Sequence, residues 1–184
     1  GQFFGYIGSL EDYAAELDAA LAVVEDAHDE VALLGHSTGG LTASLWASAN
    51  PGRVSGLMLN SPWLDLHGPP AFASVLKPLL APVSRRNPTS ILPMPENDHM
   101  VYARSIHKTL GGEWDYSLEL KTPTPRPIQA GWLRAVLHGH ASVARGLSIE
   151  CPVIVATSSQ TAFLRRFSPR AREADVVLDV ERVA

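Results

Sequence analysis

A glycine-rich turn directly after an apolar run places the strongest constraint on how this chain folds. Residues 31–34 read Val-Ala-Leu-Leu, and residues 35–40 read Gly-His-Ser-Thr-Gly-Gly. The Gly-x-Ser-x-Gly spacing predicts a strand that feeds a tight turn with a serine at its tip, which is the pattern of a nucleophile elbow. We expect a side chain at position 35 or 39 to collide with the neighbouring strand or helix, so that glycine is favoured at both positions.

The segments around this turn alternate between helical and strand patterns. Ser9 and Asp12 have the spacing of a capping box at the start of the first helical segment. The predicted elements are a helix at 10–26, a strand at 30–34, a helix at 38–49, a strand at 54–60, a helix at 131–147 and a strand at 151–156. This order predicts an α/β protein with a parallel sheet, and the apolar first strand is expected to be covered on both faces.

The turn and the segment that follows the second strand together resemble a known superfamily. Residues 59–66 read Leu-Asn-Ser-Pro-Trp-Leu-Asp-Leu, and residues 9–66 as a whole resemble the α/β-hydrolases. The Asn-Ser-Pro-Trp segment and the long insertion behind it are similar to the serine aminopeptidase (S33)-like and monoacylglycerol lipase-like (lysophospholipase) branch. The resemblance implies an α/β-hydrolase fold with a parallel sheet and an inserted, mostly helical cap.

Composition separates the expected cap from the core. Eleven of the fourteen prolines lie between Pro62 and Pro127, where no sustained strand alternation occurs. By resemblance, residues 66–129 form the cap, with short helices expected at 72–80 and 98–110, and residues 1–65 and 130–184 form the hydrolase core. Either substrate contact or packing of the cap onto the core is expected for Phe72, Leu76, Leu79, Leu80 and Trp114.

The resemblance also implies a serine, histidine and acid triad. Ser37 is the expected nucleophile, and the backbone N–H of Thr38 is the expected oxyanion donor. In the superfamily the acid follows a later strand, and Asp175 is preferred there over Asp179. The alternative is that both carboxylates merely cap surface helices.

The triad histidine is not found where the resemblance places it. All seven histidines lie at or before His140, so none follows the candidate acids. We expect the general base beyond Ala184 and ordinary surface or cap-contact roles for His138 and His140, with a rearranged triad as the alternative. We interpret the chain as a fragment that lacks N-terminal strands and a C-terminal strand and helix, and we expect residues 1–184 alone to be inactive.

The apolar cap favours a carboxylic ester with an apolar acyl portion, which is a small-molecule or lipid-like substrate. Aminopeptidase activity is an alternative that needs an acidic pocket for the substrate ammonium, with Glu96, Asp98 or Glu113 as candidates. A third possibility is a non-catalytic binding module with an α/β-hydrolase-like fold. These alternatives stay open at the level of sequence.

Charge and composition argue against several other classes of protein. The net charge of −4, with eight acidic and no lysine or arginine side chains in residues 1–52, gives no reason to expect nucleic-acid binding. No phosphate-binding glycine loop or zinc-like Cys/His spacing is visible, so no cofactor or metal is expected. No membrane span is visible either. Cys151 is the one cysteine, expected to be buried and unreactive, and its lack of a partner favours a cytoplasmic location.

Overall fold

A three-stranded parallel sheet organises the chain in the computed structural model, which describes residues 5–66, 72–93, 100–124 and 126–183. The strands, in spatial order, are β1 (Ala32–His36), β2 (Gly56–Asn60) and β3 (Val153–Ala156). The α-helices are α1 (Ala14–Glu25), α2 (Thr38–Ala49), α3 (Phe72–Arg86), α4 (Val101–Ile106), α5 (Ala130–Ala144) and α6 (Val180–Val183). Short 3-10 turns lie at Leu10–Tyr13, Lys108–Leu110 and Pro169–Arg172.

The predicted elements are present, most of them with shifted bounds. The helix predicted at 38–49 is confirmed at those residues. The first strand lies two residues later than predicted, because its pairing with β2 runs from Ala32 to His36 and so continues up to the serine of the turn. The predicted capping box is wrong, since the Ser9 hydroxyl donates to the Glu11 carboxylate and makes no cap hydrogen bond.

The insertion contains more helix than its sequence pattern predicts. The segment predicted at 72–80 continues to Arg86, although it contains Pro78 and Pro82. The segment predicted at 98–110 is divided between α4 and the 3-10 turn at Lys108–Leu110, and residues 94–99 lie outside the described residues. Both predicted helical segments of the insertion are therefore present, whereas residues 111–124 and 126–129 contain no helix.

The two faces of the sheet are not equivalent. Leu57 and Leu59 of β2 are buried against Leu21 of α1 and Trp46 of α2, so these helices share one face. On the other face a row runs across the three strands, formed by Leu34, Met58 and Ile154, which are 62%, 41% and 59% exposed. The prediction that the first strand is covered on both faces is thus wrong for the described part of the chain.

Helix α5 joins the sheet layer to the insertion. Val136 is fully buried with Leu41 of α2, while Leu137 on the same helix packs with Leu80 of α3. A Cβ built on Gly139 would lie 2.7 Å from the Leu10 side chain, so α5 also approaches the first helical turn closely. This packing attaches α3 to the core through α5.

Two glycines of the turn between β1 and α2 permit close backbone approaches. A Cβ on Gly35 would lie 2.8 Å from both the Gly39 carbonyl oxygen and the Gly40 Cα. A Cβ on Gly40 would lie 2.7 Å from the Cβ of Pro62. Nothing lies within 4 Å of a Cβ on Gly39, so the predicted collision at position 39 is wrong. Position 39 instead borders an open cleft of about 380 Å³.

The core contains a buried histidine on α5. His140 is 6% exposed, and its Nε2–H donates to the Trp63 carbonyl oxygen at 2.9 Å. Burial lowers the pKa of His140 below its ordinary value of 6.5, and the nearby Lys77 acts in the same direction, while the Trp63 carbonyl and Asp65 oppose the shift. Its Nδ1 is buried and has no hydrogen-bond partner in the described structure. The ring is therefore a neutral core group.

The adjacent glycines of α2 should respond differently to substitution. We expect Gly40→Ala to lower the free energy of unfolding by about 1–3 kcal/mol, because its methyl group would overlap Pro62. Gly39→Ala has open space and replaces a poor helix former, so it should raise the free energy of unfolding by up to about 1 kcal/mol. Chemical denaturation of both variants measures the difference, and equal effects would contradict the assigned contacts.

The lowered pKa of His140 predicts a pH-dependent stability. At pH values between the folded-state pKa of His140 and 6.5, the unfolded chain binds more protons at this residue than the folded chain does. The contribution of His140 to the free energy of unfolding is therefore fully present above pH 6.5 and declines as the pH falls below 6.5. His140→Gln should remove this part of the dependence. The exposed His138 supplies the control, since His138→Gln should retain it. Denaturation at a series of pH values tests this, and identical profiles for the two variants would refute it.

Candidate active site

The turn after β1 holds Ser37 in a conformation that residues with a side chain seldom adopt. Its φ is 53° and its ψ is −121°. The Ser37 N–H donates to the Asn60 carbonyl at 3.2 Å, and the Ser37 carbonyl accepts from the N–H of Trp63 at 3.0 Å. These bonds fix the strained residue at the carboxyl end of the sheet, as a nucleophile elbow requires.

Thr38 begins α2 directly after this strained residue. A backbone N–H in the first turn of a helix has no acceptor within the helix and lies at the positive end of the helix dipole. The Thr38 N–H is thus a donor suited to an anion that forms beside Ser37. The Thr38 residue also borders the cleft of about 380 Å³ that Gly39 lines, between α1 and β1.

A cavity of about 940 Å³ lies beyond the carboxyl ends of the strands. Ser37 follows β1 on its wall, Ser61 follows β2, and Ser158 with Ser159 follows β3. His36, the last residue of β1, also lines it. The remaining lining residues come from the insertion and from the segment before α6: Tyr102, Ser105, Ile106, Glu113, Trp114, Lys121, Thr122, Pro123 and residues 171–178. Open parallel sheets bind their ligands at this end of the strands.

Asp175 reaches the cavity on a segment that pairs with the chain just after β3. Its N–H donates to the Gln160 carbonyl at 2.8 Å, and its carbonyl accepts from Ala162 N–H at 2.7 Å. Its Oδ1 accepts from the N–H groups of Val177 and Leu178 at 2.8 and 2.7 Å, which fixes the orientation of the carboxylate. Asp179 is not among the lining residues, so Asp175 is the candidate acid that shares the cavity with Ser37.

The described histidines do not provide a base at Ser37. His36 lines the cavity, but its Nδ1–H donates to the Asn60 carbonyl at 2.9 Å. His107 is buried against the Tyr116 ring, and His138 and His140 are not among the lining residues. His28 is exposed elsewhere, and His67 and His99 lie outside the described residues.

The predicted substrate contacts in the insertion are only partly reproduced. Trp114 lines the cavity and is 70% exposed. Leu76 and Leu80, four residues apart on one helix face, pack against α5, as the packing alternative expects, and neither lines the cavity. Leu79 is exposed and does not line the cavity, and the side chain of Phe72 lies outside the described part of the structure.

Several cavity residues are not predicted by the motif. Ser61 has a φ of 44° and donates its N–H to the Ala156 carbonyl at 2.7 Å. It follows Asn60, which pairs with His36, so Ser61 occupies on β2 the position that Ser37 occupies on β1. The sequence signal that could have indicated Ser61 is its place directly after the second predicted strand. Lys121 and Arg172 have no comparable sequence signal.

The described residues offer neither a metal site nor a membrane-spanning helix. They contain no group of three histidine, cysteine, aspartate or glutamate side chains able to hold a metal ion. None of the helices in the described ranges has the length and apolarity needed to cross a bilayer.

The chain is similar to known proteins in sequence and in fold. A family model described as serine aminopeptidase, S33, matches residues 2–109. Over 64 residues the chain is 42% identical to phospholipase YtpA of Bacillus subtilis (strain 168), a match that covers 34% of this chain and 24% of that protein.

Two solved structures share the fold. The crystal structure of Paleococcus ferrophilus monoacylglycerol lipase aligns with a TM-score of 0.60 and 19% identity over 89% of this chain and 58% of that one. A soluble variant of monoglyceride lipase from Saccharomyces cerevisiae aligns with a TM-score of 0.55 and 14% identity over 89% of this chain and 54% of that one. The chain thus spans somewhat more than half the length of each.

The predicted fold class is confirmed, since a parallel sheet with its helices corresponds to part of the α/β-hydrolase fold of these structures. The family match includes the strained serine, the helix behind it and the second strand. The chain belongs to the serine aminopeptidase S33 family of α/β-hydrolases.

Proposed function

We propose that the intact protein is a serine hydrolase that cleaves carboxylic esters with Ser37 as its nucleophile. The observation that carries this proposal is the strained Ser37 at a strand-to-helix turn, in a cavity that it shares with Asp175. The related proteins include a phospholipase and two monoacylglycerol lipases, which supports an ester of lipid type as the substrate.

The proposed reaction proceeds through an acyl-enzyme. The Ser37 hydroxyl attacks the ester carbonyl carbon while a histidine accepts its proton, and the Thr38 N–H donates to the oxyanion of the tetrahedral intermediate. The histidine then gives the proton to the leaving alcohol, and water repeats the sequence to release the acid. We place this histidine beyond Ala184, because the family order puts it after the acid.

Asp175 is the proposed acid of the triad. A carboxylate that accepts from the histidine Nδ1–H selects the reactive tautomer and stabilises the imidazolium that forms during attack. Two backbone N–H groups hold Oδ1 of Asp175, while Oδ2 has no partner in the described structure. That oxygen is the one we assign to the histidine.

The acyl portion is proposed to lie against the apolar part of the cavity wall. Ile106 and Trp114 come from the insertion, and Val176 and Val177 follow the proposed acid. Since two of these side chains belong to residues 66–129, they support the proposal that this insertion acts as a cap over the core. Partly apolar walls of this kind suit an acyl chain better than a charged group.

Aminopeptidase activity is a second candidate, favoured by one observation. Glu113 lines the cavity and could accept a substrate ammonium, whereas Glu96 and Asp98 lie outside the described residues. Such an enzyme would cleave aminoacyl anilides in preference to acyl esters of p-nitrophenol. A non-catalytic binding module would do neither and would not react with a phosphonylating probe.

Labelling with a fluorophosphonate probe tests the nucleophile. We expect the intact protein to be labelled at Ser37 and Ser37→Ala to lose the label while it stays folded, because only an activated serine attacks phosphorus. Ser61→Ala is the matched control, since Ser61 lines the same cavity and also has a positive φ, and it should keep the label. Labelling that persists in Ser37→Ala would overturn the assignment.

Substitution of the two candidate acids tests the triad. We expect Asp175→Asn to lower kcat by about 10⁴-fold, because an amide favours the wrong histidine tautomer. The asparagine carbonyl can still accept from Val177 and Leu178, so thermal melting should show a folded protein. Asp179→Asn should retain nearly full activity, and the opposite ranking of the two variants would show that Asp179 is the acid.

A further inference from the structure

We infer that His107 is a positioning residue for the cavity wall, and that it determines how tightly the enzyme binds a long acyl chain. It lies in the turn formed by residues 106–116, which contributes Ile106 and Trp114 to the wall of the cavity that contains Ser37. His107 itself does not line this cavity, so it acts through its neighbours. The inference rests on the proposed ester hydrolase and names a residue that sets its preference among acyl groups.

Backbone hydrogen bonds close this turn on both sides of His107. The Trp114 N–H donates to the Ile106 carbonyl at 2.8 Å, and the Lys108 N–H donates to the Trp114 carbonyl at 2.8 Å. A Cβ built on Gly112 would overlap the Ile106 carbonyl carbon, so the turn folds back closely onto the end of α4. Because the Trp114 side chain is 70% exposed, packing does little to fix it, and its position depends on these backbone bonds.

The His107 ring joins two further points of the turn. The residue is buried, its Nε2–H donates to the Tyr116 carbonyl at 3.0 Å, and its Nδ1 accepts from the Thr109 N–H at 3.3 Å. The Thr109 hydroxyl lies 2.9 Å from the same Nδ1, and the Tyr116 ring meets the imidazole edge-on at 4.6 Å between centroids. One nitrogen donates and the other accepts, so the bonds select the neutral imidazole that carries its proton on Nε2.

His107 is the buried centre of a turn whose other residues are mostly exposed. Lys108, Thr109 and Trp114 are all exposed. Segments with few buried contacts open locally at a low cost in free energy, so the order of this turn depends strongly on the bonds of the buried ring. An ion pair between Lys108 and Asp115 also crosses the turn, but both side chains are more than half exposed, so it contributes little.

The two wall residues of this turn belong to the proposed acyl site. A long acyl chain gains affinity from each apolar contact with Ile106 and Trp114, whereas an acetyl group has a single methyl group to bury. A displaced turn therefore weakens the binding of a long chain, while Ser37 stays held by the ends of β1 and β2. Binding that is equal in the ground state and the transition state affects KM and leaves kcat unchanged.

Two p-nitrophenyl esters test the inference with the intact protein. His107→Phe keeps a ring beside Tyr116 but lacks both nitrogens, so KM for p-nitrophenyl octanoate should rise about tenfold with little change in kcat. Neither constant should change for p-nitrophenyl acetate. His107→Gln should restore most of the affinity for the octanoate, because its amide supplies one donor and one acceptor. Lys108→Gln is the matched control, since it removes only the exposed ion pair across the same turn.

The kinetic outcomes separate this inference from the proposed function. An unchanged KM for the octanoate in His107→Phe, or an equal loss for both esters, overturns the positioning role and leaves the ester hydrolase standing. If His107→Phe does not fold, His107→Asn replaces it, because the shorter amide can accept from the Thr109 N–H but does not reach the Tyr116 carbonyl. The same change in KM is then expected.

Hydrogen exchange tests the positioning role without turnover. If the intact protein hydrolyses neither ester, the proposed function fails, and the exchange rate of the Trp114 amide decides the role of His107. Faster exchange in His107→Phe than in Lys108→Gln supports it, and equal rates in the two variants refute it.

Discussion

The hydrogen bonds between the turn after β1 and the turn after β2 are the interaction on which the rest of the structure depends. Ser37 donates to Asn60, and Trp63 donates to Ser37. A strained backbone conformation of this kind costs about 1–3 kcal/mol and persists only when its surroundings determine it fully. These two hydrogen bonds, together with the close approach of Gly40 to Pro62, hold Ser37 in this conformation.

Trp63 connects the turn that contains Ser37 to helix α5. Its N–H bonds to the nucleophile turn, its carbonyl accepts from His140, and its indole ring lies 5.9 Å from that of Trp132, centroid to centroid. Because His140 and Trp132 both belong to α5, one residue connects the serine to the helix that carries the insertion. A buried and neutral histidine therefore helps to hold α5, and α3 packed on it, beside the turn that contains Ser37.

Local patterns predicted the order of the elements and the serine, because the periods of helices and strands and the glycine turn are properties of neighbouring residues. They placed a close contact at Gly39 instead of Gly40, because the partner of Gly40 is Pro62, which follows β2 and is distant in sequence. They also treated Leu76 and Leu80 as candidate substrate contacts, although their spacing of four is equally typical of a packed helix face. Lys121 and Arg172 line one cavity only through the tertiary fold, so no sequence pattern could indicate them.

The uneven covering of the sheet has a thermodynamic consequence. The row of Leu34, Met58 and Ile154 is already hydrated in the folded state, so unfolding brings little new apolar surface from that side into contact with water. The heat-capacity change and the denaturant sensitivity of unfolding both scale with newly exposed area. For the described residues both quantities should therefore be smaller than the chain length alone suggests, and any structure that covers this row would raise both together.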